Sequence, residues 1–374
     1  MNRLSLSDLI LFGISSILGS GGFNLIGNAM ISGKDYFPIA LAVSGTLFVG
    51  SAYSYSYAHD RYKKNDSETR LVSDVFGPQA KVLSNITVLG YNIISVAVVL
   101  VLSSKLLLPN SSWYIQIAFA TAILAVMTVG AFQKLDINTS IINLFSCGII
   151  AILGFISYLG VIHMPSEVSL GTTDINLYES FLYFFFILAG HDTLIKFSEE
   201  ATKPKDVDAS FYMSIASSFA LTAGVTLAAL VYIKDFSKID INNIISILYA
   251  EAFNTSVATV VKYAALVLMT STVFLNFLGT IRYYNSISGK KIEDISKNSI
   301  YTIACSVALI ILINNVGTLV TLADFGLILT LLSVSAAAFV DRYKKGEIPW
   351  IDGLSSAGLT GVLGFITAKN IHAI

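Results

Sequence analysis

Apolar runs of about 18 residues or more, long enough for a helix to cross a bilayer, recur eleven times in this chain of 374 residues. They fall near residues 7–30, 37–58, 82–108, 112–132, 138–162, 178–202, 208–233, 257–281, 298–315, 317–340 and 352–371. Lipid offers no water to satisfy backbone N–H and C=O groups, so only helices and closed barrels can span it. A barrel needs weak segments of alternating hydrophobicity separated by turns, and these runs are too long and too continuously apolar for that. With 55% hydrophobic and 13% charged residues and a mean hydropathy of +0.73, soluble domains of this length are excluded. The sequence therefore predicts an all-α integral membrane protein of about 11 transmembrane helices in the lipid bilayer.

The basic residues orient it. With the N-terminus cytoplasmic, only Lys34, Lys105, Lys234, Lys238, Lys262 and Lys369 of the 23 basic residues fall outside. The expected topology is N-terminus inside and C-terminus outside, in the cell membrane, with the first span retained because no small-residue cleavage pattern follows it. A net charge of −1 without a Lys/Arg block gives no reason to expect a nucleic-acid partner. Cys147 and Cys305 lie alone in spans and define no metal or disulfide framework.

Two spans are interrupted. In "ILGSGGFNLIG" (17–27) glycines break the first, and in "FFFILAGHDTLIKFSEE" (184–200) Ala189, Gly190, His191 and Asp192 break the sixth. Each Gly weakens a helix by about 1 kcal/mol relative to Ala, and a carboxylate at membrane depth is costly unless it faces protein or water. With five spans from one break to the other, the spacing fits a 5+5 inverted repeat, in which an odd number of helices per half inverts the second copy. Residues 1–162 would form the first half, 178–340 the second, and 352–371 a peripheral helix, all in one transporter domain. Paired interruptions of this kind point to a transporter binding site. The resumed first helix near Gly21, Gly22 and Phe23 would present N–H donors and a positive dipole end to a carboxylate. The end of the first half of span six, at Ile187, Leu188 and Ala189, would present carbonyls to an ammonium. Together they describe a site for a zwitterion such as an amino acid or a related amine. The alternative is that the glycines only let helices pack closely.

The two motifs also resemble a known family. "ILGSGGFNLIG" resembles the first-span pattern of the amino acid/polyamine/organocation permease superfamily, and "FFFILAGHDTLIKFSEEATKPKD" (184–206) resembles its sixth span. "VFGPQAK" (75–81), "LNFLGTIRYYNSISGKK" (275–291) and "LADFGLILTLL" (322–332) are supporting echoes. The resemblance implies a leucine-transporter-like fold and a secondary permease moving amino acids or related amines by alternating access. It assigns Gly19, Ser20 and Gly21 to the carboxylate turn, Ile187, Leu188, Ala189 and Gly190 to the unwound amine-binding stretch, Phe186 to the aromatic closing over substrate, and Ser16 to the pocket lining. This chain departs from the pattern at Gly22, where a bulky apolar residue is usual, and at His191. It also has eleven spans where most relatives have twelve, and "NLFSCGIIAILGF" (143–155) lacks the span-five lysine of many proton-coupled relatives.

Several polar residues admit two readings. Asp324, about 10 Å into span ten at 1.5 Å per residue, either attracts a cationic substrate or relays a proton, or pairs with backbone near the interface. Asp192, with His191, either titrates as part of gating or caps the resumed helix; the cap is the expected role. Glu199 and Glu200 point about 100° apart on a helix. They are expected to form ion pairs with Lys196, Lys203 and Lys205 that latch the cytoplasmic gate. Thr270, Ser271 and Thr272 are candidate sodium ligands, or bond their own helix backbone. Tyr53, Tyr55 and Tyr57 read as an interfacial aromatic belt. No nucleophile with a base and no phosphate loop can be assembled, so an enzyme is not expected, and no cofactor beyond a coupling proton or sodium ion. The rival classes are an inorganic-cation carrier and a non-transporting scaffold or receptor on the same fold.

Overall fold

The computed structural model describes residues 3–18, 25–108, 110–133, 135–164, 170, 175–233, 244–290 and 296–371. Among them every element is helical, apart from one isolated parallel bridge between Leu4 and Ala201. The first span is represented by α1 (Leu6–Leu18) and α2 (Ile26–Gly33), and a 3-10 turn (Lys34–Tyr36) leads into α3 (Phe37–Tyr62). Gly19, Ser20, Gly21, Gly22 and Phe23 lie outside the described residues. A short amphipathic helix α4 (Ser67–Phe76) precedes α5 (Pro78–Leu107), α6 (Trp113–Gly130) and α7 (Leu135–Ile162). The sixth span is α8 (Leu177–Leu188), a break at Ala189 and Gly190, and a 3-10 segment, His191–Glu200. Then follow α9 (Pro204–Tyr232), the short α10 (Ile244–Ala252), α11 (Thr255–Ile287), α12 (Lys297–Ile311), α13 (Val316–Lys344) and α14 (Trp350–Ile371).

Local sequence sets these boundaries. Asn176, Asn254, Ser296 and Asn315 each accept a backbone N–H three residues on, at 3.1, 3.0, 3.2 and 3.1 Å, which satisfies a donor the helix itself cannot. Gly77 ends α4 with φ 91° and Pro78 opens α5, where its fixed φ suits a first helical turn.

Among the described residues eight helical stretches are long and apolar enough to cross a membrane, so this is a multi-pass helical membrane protein. Burial separates inner from outer spans. The most apolar windows of Leu177–Glu200 and Thr255–Ile287 are each 72% buried, against 22% for Trp113–Gly130 and 33% for Ile137–Ile162. The outer spans present Val126, Val129 and Leu144 outward, as lipid-facing surfaces require. At the core, α1 packs on α9, α7, α11 and the 3-10 segment, while α8 packs on α2 and α3. Around them α5 meets α11, α12 and α13, and α7 meets α9 and α11.

A candidate substrate cavity between the broken helices

Gly190 fixes how α1 and the broken sixth span meet. Its φ is 124°, and a Cβ there would lie 2.7 Å from the carbonyl oxygen of Ser16 and 2.9 Å from its Oγ. Only glycine accommodates both the backbone conformation and the approach. Beside this crossing lies a cavity walled by five spans. Ser16 and Ile17 come from α1, Tyr91, Asn92, Ser95 and Val99 from α5, Phe186, Ala189, Gly190, Asp192 and Thr193 from the sixth span, Asn276 from α11, and Ala323, Asp324 and Leu327 from α13.

Its polar groups form two sets. In the first, Asn276 Oδ1 accepts from Ser16 Oγ (2.9 Å) and Thr193 Oγ1 (3.0 Å), joining α1, the 3-10 segment and α11. In the second, the fully buried Lys196 ammonium lies 2.9 Å from Asp192 Oδ2 and donates to Asn92 Oδ1 at 2.6 Å, and the Tyr91 hydroxyl donates to the same Asp192 oxygen. A buried charge is tolerable only when paired and hydrogen-bonded, and Lys196 meets both conditions. Asp324 differs: among the described residues its Oδ1 is buried without a hydrogen-bond partner, and no described Lys or Arg lines the cavity.

The expected site residues are thus distributed. Ser16, Phe186, Ala189, Gly190, Asp192 and Asp324 share the cavity wall; Ile187 and Leu188 are fully buried. His191 sits behind the cavity, its ring 5.4 Å from both Phe48 and Tyr55 and its Nε2 3.3 Å from Ser51 Oγ. Thr270 and Ser271 donate to carbonyls in their own helix, whereas Thr272 donates to the Ser15 carbonyl at 2.9 Å and so ties α11 to α1. The N-cap residue of the 3-10 segment is Gly190, which has no side chain to cap it, and the expected cap, Asp192, instead pairs with Lys196 and accepts from Tyr91.

Three expectations need correction. Lys196 does not pair with Glu199 or Glu200: the 3-10 winding continues to Glu200 and carries it into the core, where it meets Asp192. Consequently Glu199 and Glu200 find other partners. Glu199 lies 2.6 Å from Lys64, and Glu200 receives the Arg282 guanidinium at 2.7 Å in a buried pair. Arg282 also lies 4.7 Å from the Phe197 ring centroid, Leu4 N donates to the Glu200 carbonyl, and Thr202 N donates to that of Leu4. One end of the bundle is thereby latched by the N-terminal segment, the sixth span and α11. Thirdly, the tyrosines of α3 are not one belt. Tyr53 and Tyr57, four residues apart, flank Arg342 at 4.3 Å each, while Tyr55 points inward between His191 and Phe211. Residues four apart share a helix face and those two apart do not.

Fold and cavity together define a multi-pass helical membrane protein with a chamber lined by two carboxylates, Asp192 and Asp324, where α1 meets the interrupted sixth span. No protein-family model matches the chain, and no curated protein matches it.

Proposed function

We propose that the chain is a secondary transporter of amines, amino acids among them, working by alternating access. The observation that carries this reading is the Asp324 carboxylate, which among the described residues has an unpartnered oxygen at the wall of a cavity lined by no Lys or Arg. An unpaired buried carboxylate is costly, and an organic ammonium entering the cavity is the complement that removes the cost. Lys196 cannot supply that complement because Asp192 and Asn92 occupy it.

An inverted 5+5 architecture with eleven spans is the fold we assign to it. It is supported by helix contacts that such a repeat would exchange. The packing of α1 on α9 answers that of α8 on α3, α7 on α9 answers α13 on α3, α5 on α6 answers α11 on α12, and α5 on α13 answers α11 on α7. In this reading the Glu200–Arg282 latch closes the cytoplasmic side and Phe186 covers the substrate. The two interrupted spans, with the resemblance of their motifs to the amino acid/polyamine/organocation permeases, favour the same class.

The test is uptake into proteoliposomes with a panel of labelled amino acids and polyamines, with and without proton and sodium gradients. At least one cationic or zwitterionic amine is expected to be taken up or exchanged. Asp324→Asn, which keeps shape and removes charge, is expected to lower its affinity at least tenfold, a charged hydrogen bond being worth about 1.5–3 kcal/mol. Folded, inserted protein that moves no member of the panel would overturn the reading.

A further inference from the structure

Outside the cavity lining the structure buries a carboxylate that neither the cavity nor the latch employs. Glu68, in the first turn of α4, is 1% exposed, and among the described residues its Oε2 has no hydrogen-bond partner. The groups that interact with it electrostatically are Lys196 and Asp192 on the 3-10 segment, Asp66 on its own loop, Tyr55 on α3 and Tyr283 on α11. Both neighbouring carboxylates are already matched. Asp192 is paired with Lys196 at 2.9 Å, and Asp66 Oδ1 receives Arg70 Nε at 2.8 Å and Ser286 Oγ at 2.8 Å. The tyrosine hydroxyls carry no compensating charge: that of Tyr55 is buried without a partner, and that of Tyr283 donates to Asn85 at 2.9 Å. On α13, Asp341 is bound to Arg61 and Lys345 at the rim.

The charges of this buried layer therefore cancel when Glu68 is protonated and leave one uncompensated negative charge when it is not. An unmatched buried charge is expensive, so the site favours the bound proton. Burial pushes the Glu68 carboxyl up to about 8 from an ordinary value near 4.5, with Lys196 opposing the rise and Asp66 and Asp192 adding to it.

We propose that Glu68 is a proton-binding site that competes electrostatically with a cationic amine in the cavity, so that the transporter exchanges a proton for its substrate. This rests on the transport reading above. Glu68 senses the charge at Asp192, and Asp192 lines the cavity. A positive substrate there stabilises ionised Glu68 and releases its proton, and a proton on Glu68 weakens the cationic substrate. Such coupling is reciprocal by thermodynamic necessity. The proton leaves the carboxyl as solvated hydronium or to buffer base, and no other bond changes.

The experiment is calorimetric titration of the purified full chain with lysine and with 1,4-diaminobutane, in two buffers of different ionisation enthalpy at pH 7. Wild type is expected to release close to one proton per bound amine, with affinity rising up to tenfold per pH unit between pH 6 and 7. Glu68→Gln, which has the shape of the protonated residue, is expected to bind with no proton release and a flat profile. Release by Glu68→Gln equal to wild type would assign the proton to another group, Asp324 above all, and overturn the proposal, as would proton uptake on binding. Infrared difference titration tests the site without any amine: a protonated-carboxyl band that disappears as pH rises through about 8 should be present in wild type and absent in Glu68→Gln. Its presence in both, or its absence in wild type, overturns the proposal. Binding or uptake of neither amine, with the band behaving as expected, counts instead against the transport reading.

Discussion

Gly190→Ala is the substitution for which the structure gives the most definite outcome. Two costs combine. A φ of 124° lies where L residues are strained, at roughly 1–3 kcal/mol. The new methyl would meet the Ser16 carbonyl oxygen at 2.7 Å, its carbon at 2.9 Å and Oγ at 2.9 Å, and overpacking of this kind costs about another 1–3 kcal/mol. The sum, about 2–6 kcal/mol, falls on the conformation in which the two broken spans touch, and even the lower bound reduces its population about thirtyfold. Removing the Ser16 side chain relieves one of the three contacts and leaves the two backbone ones, so Ser16→Ala/Gly190→Ala should recover only part of the loss. The control is Gly90→Ala on α5, where a Cβ meets nothing within 4 Å and alanine should stabilise the helix by about 0.5–1 kcal/mol. Melting in detergent and amine uptake in proteoliposomes read both. Gly190→Ala with wild-type melting and uptake would refute the claim that this contact positions the cavity.

Two further outcomes follow from named groups. Arg282→Met leaves the Glu200 carboxylate buried without its cation, which should destabilise the protein by about 3–5 kcal/mol and open the latched end to thiol reagents at an introduced cysteine; unchanged melting would mean that the pair is not buried in solution. Because the folded protein raises Glu68 to about 8 from near 4.5, it holds a proton that the unfolded chain releases. The stabilisation linked to it is therefore complete below about 4.5, declines as pH rises, and is lost above about 8. Melting temperatures of wild type and Glu68→Gln across that range should converge at low pH and diverge at high pH, and parallel profiles would contradict it.

The break in span six was legible because its signals are local: a Gly beside two ionisable residues within an aromatic run. Ser16 and Phe186 came from the resemblance of the two motifs to the permease pattern, whereas Asp192 and Asp324 stood out as charges within apolar spans. Tyr91, Asn92 and Asn276 did not, since single polar residues on long apolar helices leave no periodic pattern; the pairs "YN" at 91–92 and "LN" at 275–276 were the available hints. Glu68 was hidden by its setting in the polar segment 58–81, where a charge is ordinarily solvated. Partners were harder still. Reasoning along the chain paired Glu199 and Glu200 with nearby lysines, but the folded bundle brings Lys64 and Arg282 from 135 and 82 residues away in sequence.

The misread winding of residues 191–200 explains why that pairing failed. An α-helix from His191 would turn Lys196 and Glu200 about 40° apart across their four-residue separation, whereas a 3-10 segment rises about 2.0 Å per residue with three residues per turn. Over the eight residues from Asp192 to Glu200 that extends the segment to about 16 Å, against about 12 Å for an α-helix. The extra length lets one element hold Asp192 at the cavity and Glu200 at the Arg282 latch. Runs of 3-10 longer than three or four residues are uncommon because their hydrogen bonds are poor. Here the winding is held by side-chain bonds at both ends and in the middle: Thr193 to Asn276, Lys196 to Asn92, and Glu200 to Arg282. Those bonds reach three different places on α5 and α11, so the extent of the segment is set by how far apart Asn92, Asn276 and Arg282 lie.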